Sequence, residues 1–117
     1  MEYLSEVAMT FRKSDSKKIL KMMELYDKDH QENQETAEDI YRQARRWETW
    51  DGYVILHWES IKWYDGGVDF WENLRQDRYR LETPCDFIRI GDDPKDITES
   101  NDLGAGCVYV HSCIEFA

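Results

Sequence analysis

Cys107, His111 and Cys113 fall on one face of a predicted C-terminal strand, with His111 and Cys113 two positions apart. A strand separates such neighbours by about 6.5–7 Å, within reach of a single zinc ion. A structural zinc site takes four ligands and shows paired C-x-x-C spacing, which is absent, so the plainer reading is small buried thiols beside an imidazole. Nucleophilic chemistry would use Cys85 or Cys113 with His57 or His111, because a thiolate must be generated by a nearby base or cation. Cys85 follows Pro84 at the mouth of a predicted strand, an accessible kind of position, yet no protease signature surrounds it. No catalytic residue, metal ligand or cofactor is assigned on this basis.

Carboxylates are the commonest chemical groups here, with 25 Asp and Glu against 15 Lys and Arg and a net charge of -10. That abundance empties paired carboxylates of meaning as a sign of glycoside hydrolysis, since any acid will have a neighbour. Asp92-Asp93-Pro94-Lys95-Asp96 looks superficially like a cation loop, but Pro94 stands where a ligand should be and the glycine of a calcium-binding turn is missing. None of the six glycines is arranged to cradle a phosphate, which argues against nucleotide-dependent catalysis.

The distribution of the acids is more informative. Glu24 to Asp39 holds seven acids and one base, and Asp92 to Asp102 holds five acids and one base. Such a field repels nucleic acid and anionic membranes and attracts basic surfaces. Carboxylates held on a rigid surface also imitate the phosphate row of duplex DNA. Five Trp and seven Tyr add residues that commonly anchor interfaces, whereas stacking on single-stranded nucleic acid would require a basic groove that this charge opposes. The expected contact set is Glu32, Glu35 and Glu38 from the first run, Asp92, Asp93, Asp96, Glu99 and Asp102 from the second, and Trp50 and Trp63 as aromatic anchors.

In size, charge and lack of catalytic motifs the chain is similar to small acidic phage-encoded inhibitors, among them anti-CRISPR proteins. That resemblance implies a compact domain without cofactors, which covers the nucleic-acid-handling surface of a basic partner such as a CRISPR effector or a nuclease. An immunity protein or antitoxin that neutralises a basic nuclease would use the same physics. A small Cys/His-dependent enzyme and a phage structural component are the alternatives of other classes.

At 117 residues and 41% hydrophobic content the chain is expected to fold as one domain, 1–117, with its own core. Acids at Glu2 and Glu6 and the lack of a long apolar run argue against a secretory signal or a membrane span. The expected location is cytoplasmic, with reduced thiols.

The elements that would carry these groups follow from periodicity. Alternation over Tyr3 to Arg12, with Val7, Met9 and Phe11 on one face, predicts a strand. Ser14 or Asp15 then caps a helix whose stripe is Ile19, Leu20, Met22, Met23 and Tyr26, with Lys17, Lys18, Lys21 and Lys28 outside. Thr36 and Asp39 form a capping-box pattern before a second helix with Ile40, Tyr41, Ala44 and Trp47 on its stripe. Asp51-Gly52 marks a turn, and Tyr53 to Tyr64 predicts a central strand covered on both faces. Val68, Phe70, Trp71 and Leu74 predict a short third helix before the charged Gln76 to Arg80. Cys85 to Ile90 and Cys107 to Phe116 predict two last strands joined through 91–106 as a hairpin. The fold class expected is α+β, a single four-stranded mixed or antiparallel sheet with two or three helices on one face.

Overall fold

The structure, a computed structural model, describes residues 2–76, 82–110 and 113–117. Strand β1 (Ser5–Arg12) leads through a 3-10 turn (Lys13–Asp15) into helix α1 (Ser16–Asp29). Helix α2 (Ala37–Gln43), strands β2 (Arg45–Glu48) and β3 (Tyr53–Ile61), and helix α3 (Val68–Leu74) follow. The chain continues with β4 (Cys85–Gly91), β5 (Ile97–Asn101), β6 (Val108–Val110) and β7 (Ile114–Phe116).

Five strands, not four, form the main sheet in the order β2-β3-β1-β4-β5, and every pairing is antiparallel. The first strand therefore occupies the centre expected of Tyr53 to Tyr64, while β3 sits beside it in the sheet interior. Side chains alternate across a strand. Val7, Met9 and Phe11 of β1, Val54, Leu56 and Trp58 of β3, and Cys85 and Phe87 of β4 accordingly face one core, shared with Ile19 and Met23 of α1, Ala37 and Ile40 of α2 and the buried side of α3. Burial of each large apolar side chain there stabilises the fold by about 1.5–3 kcal/mol. The opposite set, Ala8, Ile55 and Ile88, forms a second cluster with Cys107, Val108 and Ile114. Helices thus cover one face, as the pattern predicted, and a two-stranded β6–β7 sheet covers part of the other.

Two sequence expectations fail for reasons of pairing. The predicted C-terminal hairpin between Cys85–Ile90 and Cys107–Phe116 is replaced by β4–β5, with Ile90 opposite Ile97 and Asp86 opposite Asn101. Residues 107–116 fold back on themselves instead, Val108 opposite Phe116. The second helix also stops short of Trp47. Ala44 turns extended (φ -76, ψ 144) and donates to Tyr41 O, so Ile40 O has no helical partner. The indole Nε1 of Trp58 donates to that carbonyl at 2.8 Å. Arg45 to Glu48 then pair with His57 to Val54, where Trp47 packs edge-on to Phe116 at 5.0 Å.

Helix α2 is anchored at its other end as well. Thr36 and Asp39 make the reciprocal capping box, and Asp27 of α1 accepts from Ala37 N and Glu38 N at 2.8 and 3.0 Å. Those contacts satisfy N–H groups that no helical carbonyl can reach. Trp71 of α3 donates its indole N–H to Ala37 O at 3.0 Å, so two tryptophans from different elements hold one short helix.

Candidate partner-binding surface

Antiparallel pairing brings the start of β1, the end of β3, the end of β4 and the start of β5 to one end of the sheet. Residues 2–4 run across this end. Leu4 N donates to Asp92 Oδ2 at 2.9 Å, and the Tyr3 hydroxyl donates to Asp96 Oδ2 at 2.6 Å. Arg89 grips the same carboxylate with two nitrogens, at 2.6 and 3.1 Å. A Cβ at Gly91 would collide with the Tyr3 hydroxyl and with Asp96 Oδ2, so any other residue there would push these side chains aside.

On one side of this N-terminal segment lies a depression of about 520 Å³ lined by Glu2, Glu35, Asp39 and Lys62 among others. On its other side lies a smaller one of about 250 Å³, lined by Glu6, Glu59 and Asp92. Leu4 and Ser60 line both, so the two are adjacent. Carboxylates from both acidic runs therefore line two adjoining depressions at this end of the sheet, together with Glu2, Glu6 and Glu59, which belong to neither run. Lys62, the only base lining either depression among the described residues, is paired with Glu2 at 2.5 Å.

The protonation behaviour follows from these contacts. The Arg89 hydrogen bond, and then that of Tyr3, hold the Asp96 carboxyl below the usual aspartate range, while the Asp96 bond pushes the Tyr3 phenol up. Backbone and side-chain bonds from Thr36 lower Asp39 in the same way. A depressed carboxylate stabilises the fold above its unfolded value, and that contribution is lost as pH falls through the lowered folded value. Acid titration followed by the Tyr3 ring resonances is expected to show the Tyr3–Asp96–Arg89 contact opening below the usual aspartate range. Asp96→Asn should abolish that step; its persistence would show that another group controls the contact.

The expected contact residues divide. Glu35 and Asp92 border this end directly, and Asp93 and Asp96 lie in the adjoining β4–β5 turn. Glu32 is exposed in the loop before α2, and exposed Glu38 is turned to Arg42 at 2.9 Å. Glu99 is exposed in the middle of β5, and Asp102 follows that strand at the far end of the sheet. The second acidic run is therefore spread along a strand and does not form one patch. Trp50 is 98% exposed in the β2–β3 turn, also at the far end, roughly 25 Å away at about 3.3 Å per residue along β1.

Trp63, expected as an exposed aromatic anchor, is buried instead. It is 7% exposed in the helix-side core, packs 4.9 Å from the Trp58 ring, and donates its indole N–H to Glu72 Oε1 at 2.8 Å. Asp96, Asp92 and Asp93 are also engaged within the protein, the last accepting from Lys95 N at 3.0 Å. Glu59 and Glu2 stand outside the acidic runs, so no local pattern marks them; only the strand order brings them beside Asp92 and Glu35.

Cysteine and histidine are dispersed. Cys85 is fully buried on the helix side of the sheet, and burial, reinforced by the Asp86 charge, pushes its thiol up to about 12. The accessible position expected after Pro84 is thus a core position, and a thiolate there would be strongly disfavoured. His57 lies on the other face, its Nε2 2.8 Å from Glu6 Oε2 and its ring edge-on to Phe116. Cys107 is buried under the β6–β7 sheet with its thiol raised by burial, Cys113 is exposed, and His111 lies outside the described residues. Among the described residues no three His, Cys, Asp or Glu side chains are grouped to hold a metal ion. Iodoacetamide on the folded protein is expected to modify Cys113 rapidly and Cys85 only on unfolding, as peptide mass mapping would read. Equal rates at the two would contradict this burial.

Among the described residues no helix is long and apolar enough to cross a membrane. Comparison with protein-family models, with curated proteins and with solved structures gave no match.

Proposed function

We propose that this protein is a non-catalytic inhibitor that docks its acidic sheet end against a basic, nucleic-acid-handling surface of a cytoplasmic partner, in the manner of phage counter-defence proteins of the anti-CRISPR type. The observation that carries this reading is the meeting of Glu35 and Asp39 with Asp92 across residues 2–4, flanked by Glu2, Glu6 and Glu59. Several of these carboxylates are held by backbone and side-chain contacts, so less conformational freedom is lost when Arg or Lys of a partner pairs with them. The same field would speed encounter with a cationic surface.

Glu35 and Glu59 are the residues to change, because both are exposed and neither forms an ion pair among the described residues. The tagged protein would be used to capture partners from nuclease-treated host extract, and each captured protein would be assayed for displacement of labelled DNA or RNA. A basic nucleic-acid-binding protein is expected, with displacement weakened about tenfold, or ~1.4 kcal/mol, by combined Glu35→Lys and Glu59→Lys. A captured partner that keeps its nucleic acid, or binds the reversed variant equally well, would refute the proposal. Capture of a nuclease whose activity is blocked would place the protein among immunity proteins.

A further inference from the structure

Helices α1 and α2 leave an open groove between them, about 690 Å³ in volume, that the acidic end does not use. Leu20, Met23 and Tyr41 supply apolar surface to it, and Leu20 is 36% exposed although it belongs to the apolar stripe read from the sequence. Lys17, Lys21 and Lys28 line the same groove, and none of them forms an ion pair among the described residues.

The acids that share this groove are largely committed elsewhere. Glu38 is bound to Arg42 at 2.9 Å, and both oxygens of Asp27 accept from the first backbone N–H groups of α2. Glu24 alone stands against the three lysines without such a contact. On a chain of net charge -10 this is a local reversal of sign, laid over an apolar floor. Lys17, Leu20, Lys21, Glu24 and Lys28 stand at i, i+3, i+4, i+7 and i+11 along α1, the spacing that shares one helix face and with which one helix meets another.

We infer that the α1–α2 groove binds an acidic amphipathic helical segment of a partner protein, whose apolar side chains enter between Leu20 and Tyr41 and whose carboxylates pair with Lys17, Lys21 and Lys28. Charge complementarity selects this occupant. A basic segment would meet three lysines that have no ion pair among the described residues, and a purely apolar one would leave their attraction unused. This surface is distinct from the acidic end, and binding at either is testable without the other.

The full chain, labelled with nitrogen-15, would be titrated with a synthetic helical peptide carrying leucines at i, i+3, i+4 and i+7 and glutamates elsewhere. Two controls replace the glutamates with lysine or the leucines with serine. Saturable amide shifts are expected along the groove side of α1 and at Tyr41, falling steeply with salt and absent with the lysine control. Combined Lys17→Glu and Lys21→Glu should weaken binding at least tenfold with the circular dichroism spectrum unchanged, and Leu20→Ser should weaken it independently. No shifts at millimolar peptide, equal binding of either control, or shifts centred on the acidic end would each overturn the inference. Concentration-dependent shifts of the same residues without peptide would identify a second copy as the occupant and overturn it too.

Discussion

Trp58→Ala is expected to lower the free energy of unfolding by about 3–5 kcal/mol, the largest effect of any single truncation considered, read as a shift of the urea midpoint. Trp58 is 2% exposed and packs against the rings of Trp63 and Trp71, at 4.9 and 6.2 Å. Truncation removes that contact and opens a void between β3 and the helices. It also orphans Ile40 O, to which the indole N–H donates at 2.8 Å where α2 ends. Trp58→Phe helps to separate the two contributions, because it removes the donor while keeping part of the ring packing. That variant should cost about 1–3 kcal/mol, with amide exchange in α2 accelerated more than in β1. An unchanged midpoint for the alanine variant would mean that the indole is not in the core.

Asp86→Ala is expected to cost about 3 kcal/mol by a different route. The Asp86 side chain lies at the start of β4, 2% exposed, and accepts from three consecutive backbone N–H groups: Leu103 at 3.0 Å, Gly104 at 2.8 Å and Ala105 at 2.7 Å. Successive N–H groups converging on one carboxylate form an anion nest, here filled by the protein itself. Their connection carries the chain from β5 into the β6–β7 sheet, so the loss should be concentrated there. Asp86→Asn presents one acceptor oxygen and places an amide N–H₂ near a backbone donor, and is expected to recover only part of the stability. The diagnostic readout is Cys107, buried beneath β6–β7, whose alkylation should accelerate in Asp86→Ala before the main sheet unfolds. If Cys107 remained protected while global stability fell, the nest would be acting on the whole sheet and not on this connection.

These two residues also bear on the proposed inhibitor surface, because they act at a distance from it. Asp86 is one of the 25 acids, yet its carboxylate is turned inward onto backbone N–H groups, as is that of Asp27 at the α2 N-terminus. Formal net charge therefore overstates what a partner would meet. On the proposed reading, the carboxylates offered for recognition would be those with an exposed face at the β1 entry end, Glu2, Glu35 and Glu59 foremost.

Local pattern was sufficient where burial alone chooses the conformation. The alternation of Val7, Met9 and Phe11, the placing of Ile19 and Met23 four apart on α1, the Thr36–Asp39 box and the apolar cluster of α3 all appear in the structure as read. Periodicity states which side chains avoid water, and a strand or helix satisfies it with its own backbone geometry. It does not state which strand lies beside which. Trp47 fits a helical stripe as well as it fits β2, and the choice was made by backbone bonds to β3 and by Phe116, which is distant in sequence. Cys85–Gly91 pairs with 97–101 and not with 107–116, which fits the smaller entropy loss on closing a short local turn than on closing a long connection, and the C-terminal residues cover the second face. Composition and run lengths determined that the surface would be acidic and that α1 would carry a lysine side. Only the antiparallel order β2-β3-β1-β4-β5 decided that Glu35, Glu59 and Asp92 would meet around residues 2–4, that Asp102 and Trp50 would lie at the opposite end, and that Trp63 would be buried, since these are consequences of non-local hydrogen bonding that no window of neighbouring residues contains.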